Sequence, residues 1–535
     1  MQFVNTKIRL SYKHFYNTGI SLNKVLPKEV SFSFAVTLSA LGYDKEVYAC
    51  FKNYCLEHFC LSEKQRSLVR EEEFIEPRTS YIAWKLILSR SKIQDFKEEF
   101  SETAKKLFDF LLKVNDFLDE KDNNVPRKLA TQYSEHLFLD YYQDNVVAQF
   151  SRAQKIFVNS GKLKSYIRNF ELNNLIDIRK YVYIIYKLLV RYGNIWYLNQ
   201  EGLTCTQLNN YWRSSISNIA KETNFADNEI KTVLDSISKT PIEFYEVVKL
   251  NSFEETDIDI FKNHPFIRFW DNTVIPINNR LAENLLFTNL FYKIVDSNRE
   301  HSDDFRRTFG DEFEAYVINF ARIIPESGNN DCIIQDEFSY SKNRKAGNNL
   351  SPDLMIIYSE RKQVIVFEVK SAQILNAYNK DFSDKEAYEK SVNKTVNKPL
   401  LQAGKSIKNI VDTKGATTLF DKTYDFIYVS ISMSGFAIPN FKINIEEEGI
   451  KEDVSKAFFN MPLETYEIFV RLLTAKQRIN GFELLLNYNK YREIMSLKTF
   501  LHRMEKKMKL DTSFFEAKIL HCQDEYLEYI SKRNN

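Results

Sequence analysis

The sequence predicts a multidomain α+β chain: a large all-α N-terminal region, an α/β core with a central mixed sheet, and a helical C-terminal region. Three observations carry this. The chain has 535 residues, more than a single core accommodates. Helical periodicity dominates from about 30 to about 260, whereas helix and strand patterns alternate between about 303 and 432. Gly and Pro are scarce (13 and 11) beside 42 Phe and 30 Tyr, which suits long helices better than a loop-rich all-β design.

Composition narrows the class. With 44% hydrophobic and 27% charged residues the chain is globular, not disordered or fibrous. Lys plus Arg (74) nearly balances Asp plus Glu (72), so any basic surface must be local. The N-terminal MQFVNTKIRLSYKHFY lacks the apolar core of a signal peptide, and no window approaches the roughly 18 apolar residues of a membrane helix. A cytoplasmic protein with no membrane partner is expected, its six cysteines free thiols. Cys50, Cys55, His58 and Cys60 fall close together, yet they lack a CxxC knuckle and sit in a helix-like segment that points them apart, so burial is expected over zinc.

Along the N-terminal region, KIQDFKEEFSETAKKLFDFLLKVNDFL sets Phe96, Phe100, Ala104, Leu107, Leu111 and Leu112 on one helical stripe. RKYVYIIYKLLVRYGNIWYL has an apolar face broad enough for the middle of a bundle. TQLNNYWRSSISNIAKETNFADNEIKTVLDSISK reads as two helices, the second capped by Asp227, a pattern common to any helical hairpin and to DNA-reading ones. Two prolines and an Asn pair in NHPFIRFWDNTVIPINNRLAEN suggest an interdomain crossing, with a boundary near 290.

The next region, 291–440, reads as one mixed domain. A helix over about 303–324 stops at Pro325, with Phe305, Phe309, Phe313, Val317, Phe320 and Ile324 as its buried stripe and Glu314 at the margin. A strand CIIQDEF, a polar loop SYSKNRKAGNNLS, two strands within SPDLMIIYSERKQVIVFEVKSAQ, a Lys-rich helical stretch to about 412 and a strand DFIYVSIS follow. Residues 441–535 return to helices, as in LETYEIFVRLLTAKQRINGFELLL and MSLKTFLHRMEKKMKL.

Charge inside the apolar pair of strands is the informative feature. A turn centred between Glu360 and Arg361 sets Tyr358 opposite Gln363 and, counting outward, Asp353 opposite Glu368. Facing residues of an antiparallel pair share a face, with Cβ atoms about 4.5–5.5 Å apart. Like charges there destabilise a sheet unless neutralised, and a hard divalent cation does so. Strand alternation returns Lys370 to the face of Glu368.

Pro352-Asp353 followed by Glu368-Val369-Lys370 resembles the PD-(D/E)xK signature of the restriction-endonuclease-like nuclease superfamily, over about residues 290–440. Asp95-Phe96-Lys97, Asp119-Glu120-Lys121 and Glu229-Ile230-Lys231 match the tripeptide without an upstream Pro-Asp. The resemblance implies a restriction-endonuclease-like core and hydrolysis of DNA phosphodiester bonds. Asp353 and Glu368 would hold Mg²⁺ or Mn²⁺, with Glu314 and the carbonyl of Val369 as further ligands, and Lys370 would orient the attacking water. Gln402 resembles a Gln that some branches place near the scissile phosphate, and Gly310 would let the first helix approach the site. Lys394, Lys398, Lys405 and Lys408, in a stretch from Lys385 to Lys408 with six lysines and two glutamates, are expected to neutralise phosphates, whereas Lys498, Arg503, Lys506, Lys507 and Lys509 read as a solvated helix face. The expectation is an Mg²⁺-dependent endodeoxyribonuclease in bacterial defence against phage or plasmid DNA. Its N-terminal region would be a sensor, regulator or oligomerisation platform, its working form a dimer or larger, and a partner protein or activator is allowed for. The alternatives are an inactive nuclease-like nucleic-acid-binding or scaffold protein and a nuclease acting on RNA.

Overall fold

The computed structural model describes residues 9–122, 146–193, 207–250, 259–329, 331–340, 350–375, 384–413, 415–434, 455–492 and 495–533. The chain forms two compact units, Met1–Phe138 with Arg168–Ile294, and Leu139–Ile167 with Val295–Asn535. The boundary expected near 290 therefore falls at 294/295, inside the helix Thr288–Ser297. The second boundary, at 440, lies outside the described residues. Among the described residues no helix is long and apolar enough to cross a membrane.

The first unit is built around helix α1 (Phe32–Tyr43), buried on nearly every side, as suits a helix apolar all round. Ser31 caps it by accepting the Phe34 N–H at 3.1 Å. A Cβ on Gly42 would come within 2.2 Å of Ser80 Oγ, so only glycine lets α1 press against the helix α2 (Pro77–Arg90). In the helix Lys45–His58 and just beyond it, Cys55 is buried, Cys50 half-buried and Cys60 exposed, so the expected burial holds for Cys55 alone.

Three expectations for this unit need correction. Helix α3 (Phe100–Asp122) buries Ala104, Leu107, Leu111 and Leu112, but Phe96 precedes the helix and is 38% exposed. The reason is the parallel pairing of β1 (Glu29–Ser31) with β2 (Lys92–Gln94), which keeps the chain extended just before Phe96. Asp227 is the first residue of its helix; the end is closed instead by Glu229, which accepts the Ala226 N–H at 3.2 Å. The stretch read as a crossing is core. Strand β3 (Ser238–Lys239) pairs with β4 (Phe266–Arg268), and β4 with β5 (Val274–Pro276), burying Phe266, Ile267, Val274 and Ile275. Pro276 is tolerated at a strand end. The broad apolar face read in RKYVYIIYKLLVRYG is the buried helix α4 (Ile178–Gly193).

The second unit carries a five-stranded mixed sheet in the order β10-β9-β8-β7-β6. Strands β6 (Ile333–Asp336), β7 (Leu354–Tyr358) and β8 (Gln363–Lys370) are antiparallel neighbours; β8, β9 (Asp425–Ser432) and β10 (Ser455–Pro462) run parallel. The fifth strand corrects the expectation of helices alone after 440. Its sequence SKAFFNMP does not alternate because a parallel strand is covered on both faces.

Helix α5 (Ser302–Ala321) buries the expected Phe305, Phe309, Phe313, Val317 and Phe320, with Ile324 continuing the stripe in the next turn. The helix breaks at Arg322, and Pro325 lies inside the short turn Ile323–Glu326, where its missing N–H costs no helical bond. Residues 146–158, expected in the N-terminal region, belong here. Phe157 stacks on Phe309 with ring centroids 5.7 Å apart, and buried Arg152 makes a bidentate pair with Glu467 at 2.8 and 2.5 Å, to which Tyr316 Oη also donates at 2.7 Å.

The two sheet faces differ. Phe367 meets Tyr466 and Phe469 of helix α7 (Leu463–Leu473), and the Gly481 N–H at the start of helix α8 (Gly481–Tyr488) donates to Tyr358 Oη at 2.9 Å. The other face is covered by residues 393–397 and helix α6 (Lys398–Asp412), which turns Leu400, Ala403, Ile407 and Ile410 inward against β8 and β9. In the helix Leu497–Met508, Lys498 departs from the expected solvated face: it is buried, 3.5 Å from Glu464.

Candidate functional site

The hairpin register places the candidate residues. Tyr358 faces Gln363 and the ladder runs to Leu354 opposite Phe367, so the next pair outward is Asp353 opposite Glu368, as the turn predicts. On the other side of β7, Asp336 faces Leu354, which sets Glu337 beside Asp353 before Pro352, lacking an N–H, interrupts the ladder. In the parallel half Ser430 lies beside Glu368 and Asn460 beside Ser430. Glu337, Asp353, Glu368, Ser430 and Asn460 thus form one transverse polar row across a sheet whose preceding row is Leu354, Phe367, Val429 and Phe459 from β7 onward.

Within the row the two central carboxylates are 5% and 1% exposed, Asp353 and Glu368 respectively. Asp353 Oδ2 accepts the Val369 N–H at 2.6 Å, and Lys370 Nζ donates to Glu368 Oε1 at 2.7 Å. The N–H and C=O of one strand residue leave on the same edge, so the Val369 carbonyl is also directed to the Asp353 side of β8. At the far end the Asn460 amide donates to Ser430 Oγ at 3.0 Å and Ser432 Oγ at 3.2 Å, while its Oδ1 is buried without a partner among the described residues. Helix α5 brings half-buried Glu314, one turn beyond Gly310. A Cβ on Gly310 would stand 3.3 Å from Oγ of Ser371, the residue after Lys370, so α5 passes close to the end of β8 here.

Burial and, after it, neighbouring negative charge show in the proton affinities. Burial, then Asp353 and Glu337, push the Glu314 carboxyl up to about 7, against the pull of Lys370. Burial and Asp353 raise Glu368, and burial raises Asp353 although Lys370 and the Val369 N–H oppose it. Glu337 is raised by burial and by Asp353. Burial disfavours the Lys370 ammonium, yet Glu368 and Asp353 outweigh it and hold its proton more tightly than usual. Burial is the largest cause at each carboxyl, and neighbouring carboxylates add to it at Glu314, Glu337 and Glu368.

Hard carboxylate and carbonyl oxygens of this kind suit Mg²⁺ or Mn²⁺. Asp353, Glu368, Glu314 and the Val369 carbonyl are the groups that could hold such an ion. Among the described residues no three His, Cys, Asp or Glu side chains are already drawn into a cage. Asp353 is engaged by a backbone N–H and Glu368 by Lys370, so cation binding would require these contacts to rearrange.

The remaining expected residues lie on and just before helix α6, which packs against β8. Gln402 is exposed on α6, with Lys405 and Lys408 on the same outward side, and Lys394 and Lys398 are exposed just before them. Glu337 was missed by sequence reasoning: it lies within the strand read as CIIQDEF, but only the observed β6–β7 register sets it beside Asp353. Ser430 and Asn460 were missed because nothing local marks a Ser or Asn in a strand as a neighbour of Glu368. Comparison of the chain with protein families, curated proteins and solved structures finds no match.

Proposed function

We propose that the chain is a metal-dependent nuclease hydrolysing DNA phosphodiester bonds, of the PD-(D/E)xK type that Pro352-Asp353 and Glu368-Val369-Lys370 resemble. The observation that carries this reading is the pairing of Asp353 with Glu368 at the strand ends, with Lys370 held 2.7 Å from Glu368. Buried neighbouring carboxylates are costly in a merely structural sheet and useful where a cation and a phosphate must be gripped. A bound divalent cation would supply polarisation of the phosphate and a more acidic water. Lys370 then turns from Glu368 to donate to a phosphoryl oxygen, offsetting the charge that builds there. The Val369 N–H holds Asp353 in the row, and Glu314 of α5 would be a further oxygen ligand for the cation.

Lys394, Lys398, Lys405 and Lys408 recur at intervals of four, seven and three, one exposed helical stripe directly after the site. Such a stripe follows a phosphate backbone without reading its sequence. Cutting both strands requires two sites, so the working form is a dimer or larger. Defence against phage or plasmid DNA, with the first unit as sensor or regulator, extends the same reading by analogy of architecture.

Incubation with plasmid, linear DNA and RNA in Mg²⁺, Mn²⁺ or EDTA tests the proposal. DNA cutting that needs the cation and disappears in Asp353→Ala, Glu368→Ala and Lys370→Ala is expected. Cation-dependent cutting that survives all three substitutions would refute the site, faster cutting of RNA would change the substrate, and nucleic-acid binding without cutting would identify a binding protein.

A further inference from the structure

The first unit contains a cleft of about 620 Å³ bordered by residues 95–102, the start of α1 and the β4–β5 turn. That size is typical of sites for small molecules or single side chains of a partner. The proposed nuclease chemistry makes no use of it.

Its walls combine exposed aromatic surface with a surplus of negative charge. Trp270 is 55% exposed, yet it is supported from behind, its ring 5.7 Å from Phe32 and 5.8 Å from Phe269, both edge-on. Phe96, displaced from the helical stripe that the sequence suggests, also lies on the wall, 38% exposed. Five carboxylates, Asp95, Glu98, Glu99, Glu102 and Asp271, face two cations, Lys97 and Arg213, a formal charge of −3. Arg213 is already engaged, its guanidinium 4.5 Å over the Phe32 ring and 3.2 Å from Asp271. Glu98 is locked by Ser31 Oγ at 2.9 Å, Thr103 Oγ1 at 2.7 Å and the Lys106 ammonium. The frame is therefore built and fixed, while Asp95, Glu99 and Glu102 are exposed at its mouth.

We infer that this cleft is a binding site for an organic cation, an alkylammonium or guanidinium group that lies against the Trp270 indole and is ringed by Asp95, Glu99 and Glu102. Aromatic faces attract cations through the ring quadrupole, and the surrounding carboxylates add a long-range pull of the same sign. The same charge repels nucleotides, although an arginine beside a tryptophan would otherwise suit a base. The cation is either a free polyamine or the Lys or Arg side chain of a basic peptide.

Calorimetric titration of the full chain with spermidine, with a Lys-rich octapeptide and with ATP separates these cases. Spermidine or the peptide is expected to bind, and whichever does so identifies the source of the cation. Affinity should fall about tenfold in the triple variant Asp95→Asn, Glu99→Gln, Glu102→Gln, where three exposed carboxylates no longer attract the cation. It should fall about threefold in Trp270→Ala, and also at about 0.5 M salt. Both variants alter exposed side chains, so an unchanged Tm certifies their fold. No heat with either cation, equal affinity in both variants, or binding of ATP in preference to the cations would overturn the assignment.

Discussion

Glu368-Val369-Lys370 and Asp95-Phe96-Lys97 have the same acid-x-lysine spacing and opposite surroundings. The first ends strand β8, where alternation puts both charged groups on one face, buries the carboxylate and brings the ammonium to 2.7 Å. The second follows the short strand β2 as an irregular segment, with all three residues exposed beside an aqueous cleft. A third instance, Glu229-Ile230-Lys231, lies on a helix, where two-residue spacing sends side chains to opposite sides, and Glu229 pairs instead with Lys180. In the first instance the strand makes the charged ends of the tripeptide converge, and a second carboxylate, Asp353, stands opposite.

The widest separation between the two regions should appear in catalysis. Asp353→Asn and Glu368→Gln are expected to lower the rate of plasmid cleavage about 10³-fold, the scale seen when a group that stabilises transition-state charge is removed, whereas Asp95→Asn should leave it within about twofold. Equal reductions in both would erase the distinction. Glu337→Gln, at the edge of the row, should cost about 10- to 100-fold in rate or cation affinity, as groups supporting a metal site do.

Binding offers a smaller contrast. Replacing Lys394, Lys398, Lys405 and Lys408 with Gln should flatten the dependence of log affinity on log salt by about 3 to 4, near 0.9 for each phosphate that is no longer neutralised. Lys97→Gln should leave that slope unchanged; filter binding across a salt series measures both.

The mildest effect concerns stability without a cation. Carboxyl groups raised in the folded state keep protons that the unfolded chain has already released, so the stability that these groups contribute is full below about pH 4.5. It declines as the pH rises through about 7, the value for Glu314. Thermal melts should therefore show a falling Tm from about pH 5 to about pH 8, restored most by Mn²⁺ at the alkaline end. Asp353→Asn should flatten the profile, and Asp95→Asn should not.

Much of this was legible because the signals are local. A five-residue apolar strand, a short turn closed by Lys362 in the left-handed region at φ 52° and a second strand fix the hairpin register, hence Asp353 against Glu368. The buried stripe of α5 follows from a 3.6-residue period. Glu337 was hidden because its register against Asp353 crosses the long polar loop between β6 and β7, whose length gives no count. Strand β10 was hidden because a parallel strand need not alternate, and the strong helical periods that follow it drew the whole stretch after 440 into a helical reading. The segment carrying Arg152 joins the second unit through Glu467, 315 residues away, a pairing that no local window contains.

The most direct measurement of the central claim is anomalous diffraction from crystals soaked in Mn²⁺. The account predicts a peak bounded by Asp353, Glu368 and the Val369 carbonyl, with Lys370 moved off Glu368. Intact carboxylates with no Mn²⁺ among them, or Mn²⁺ bound only elsewhere on the chain, would contradict it.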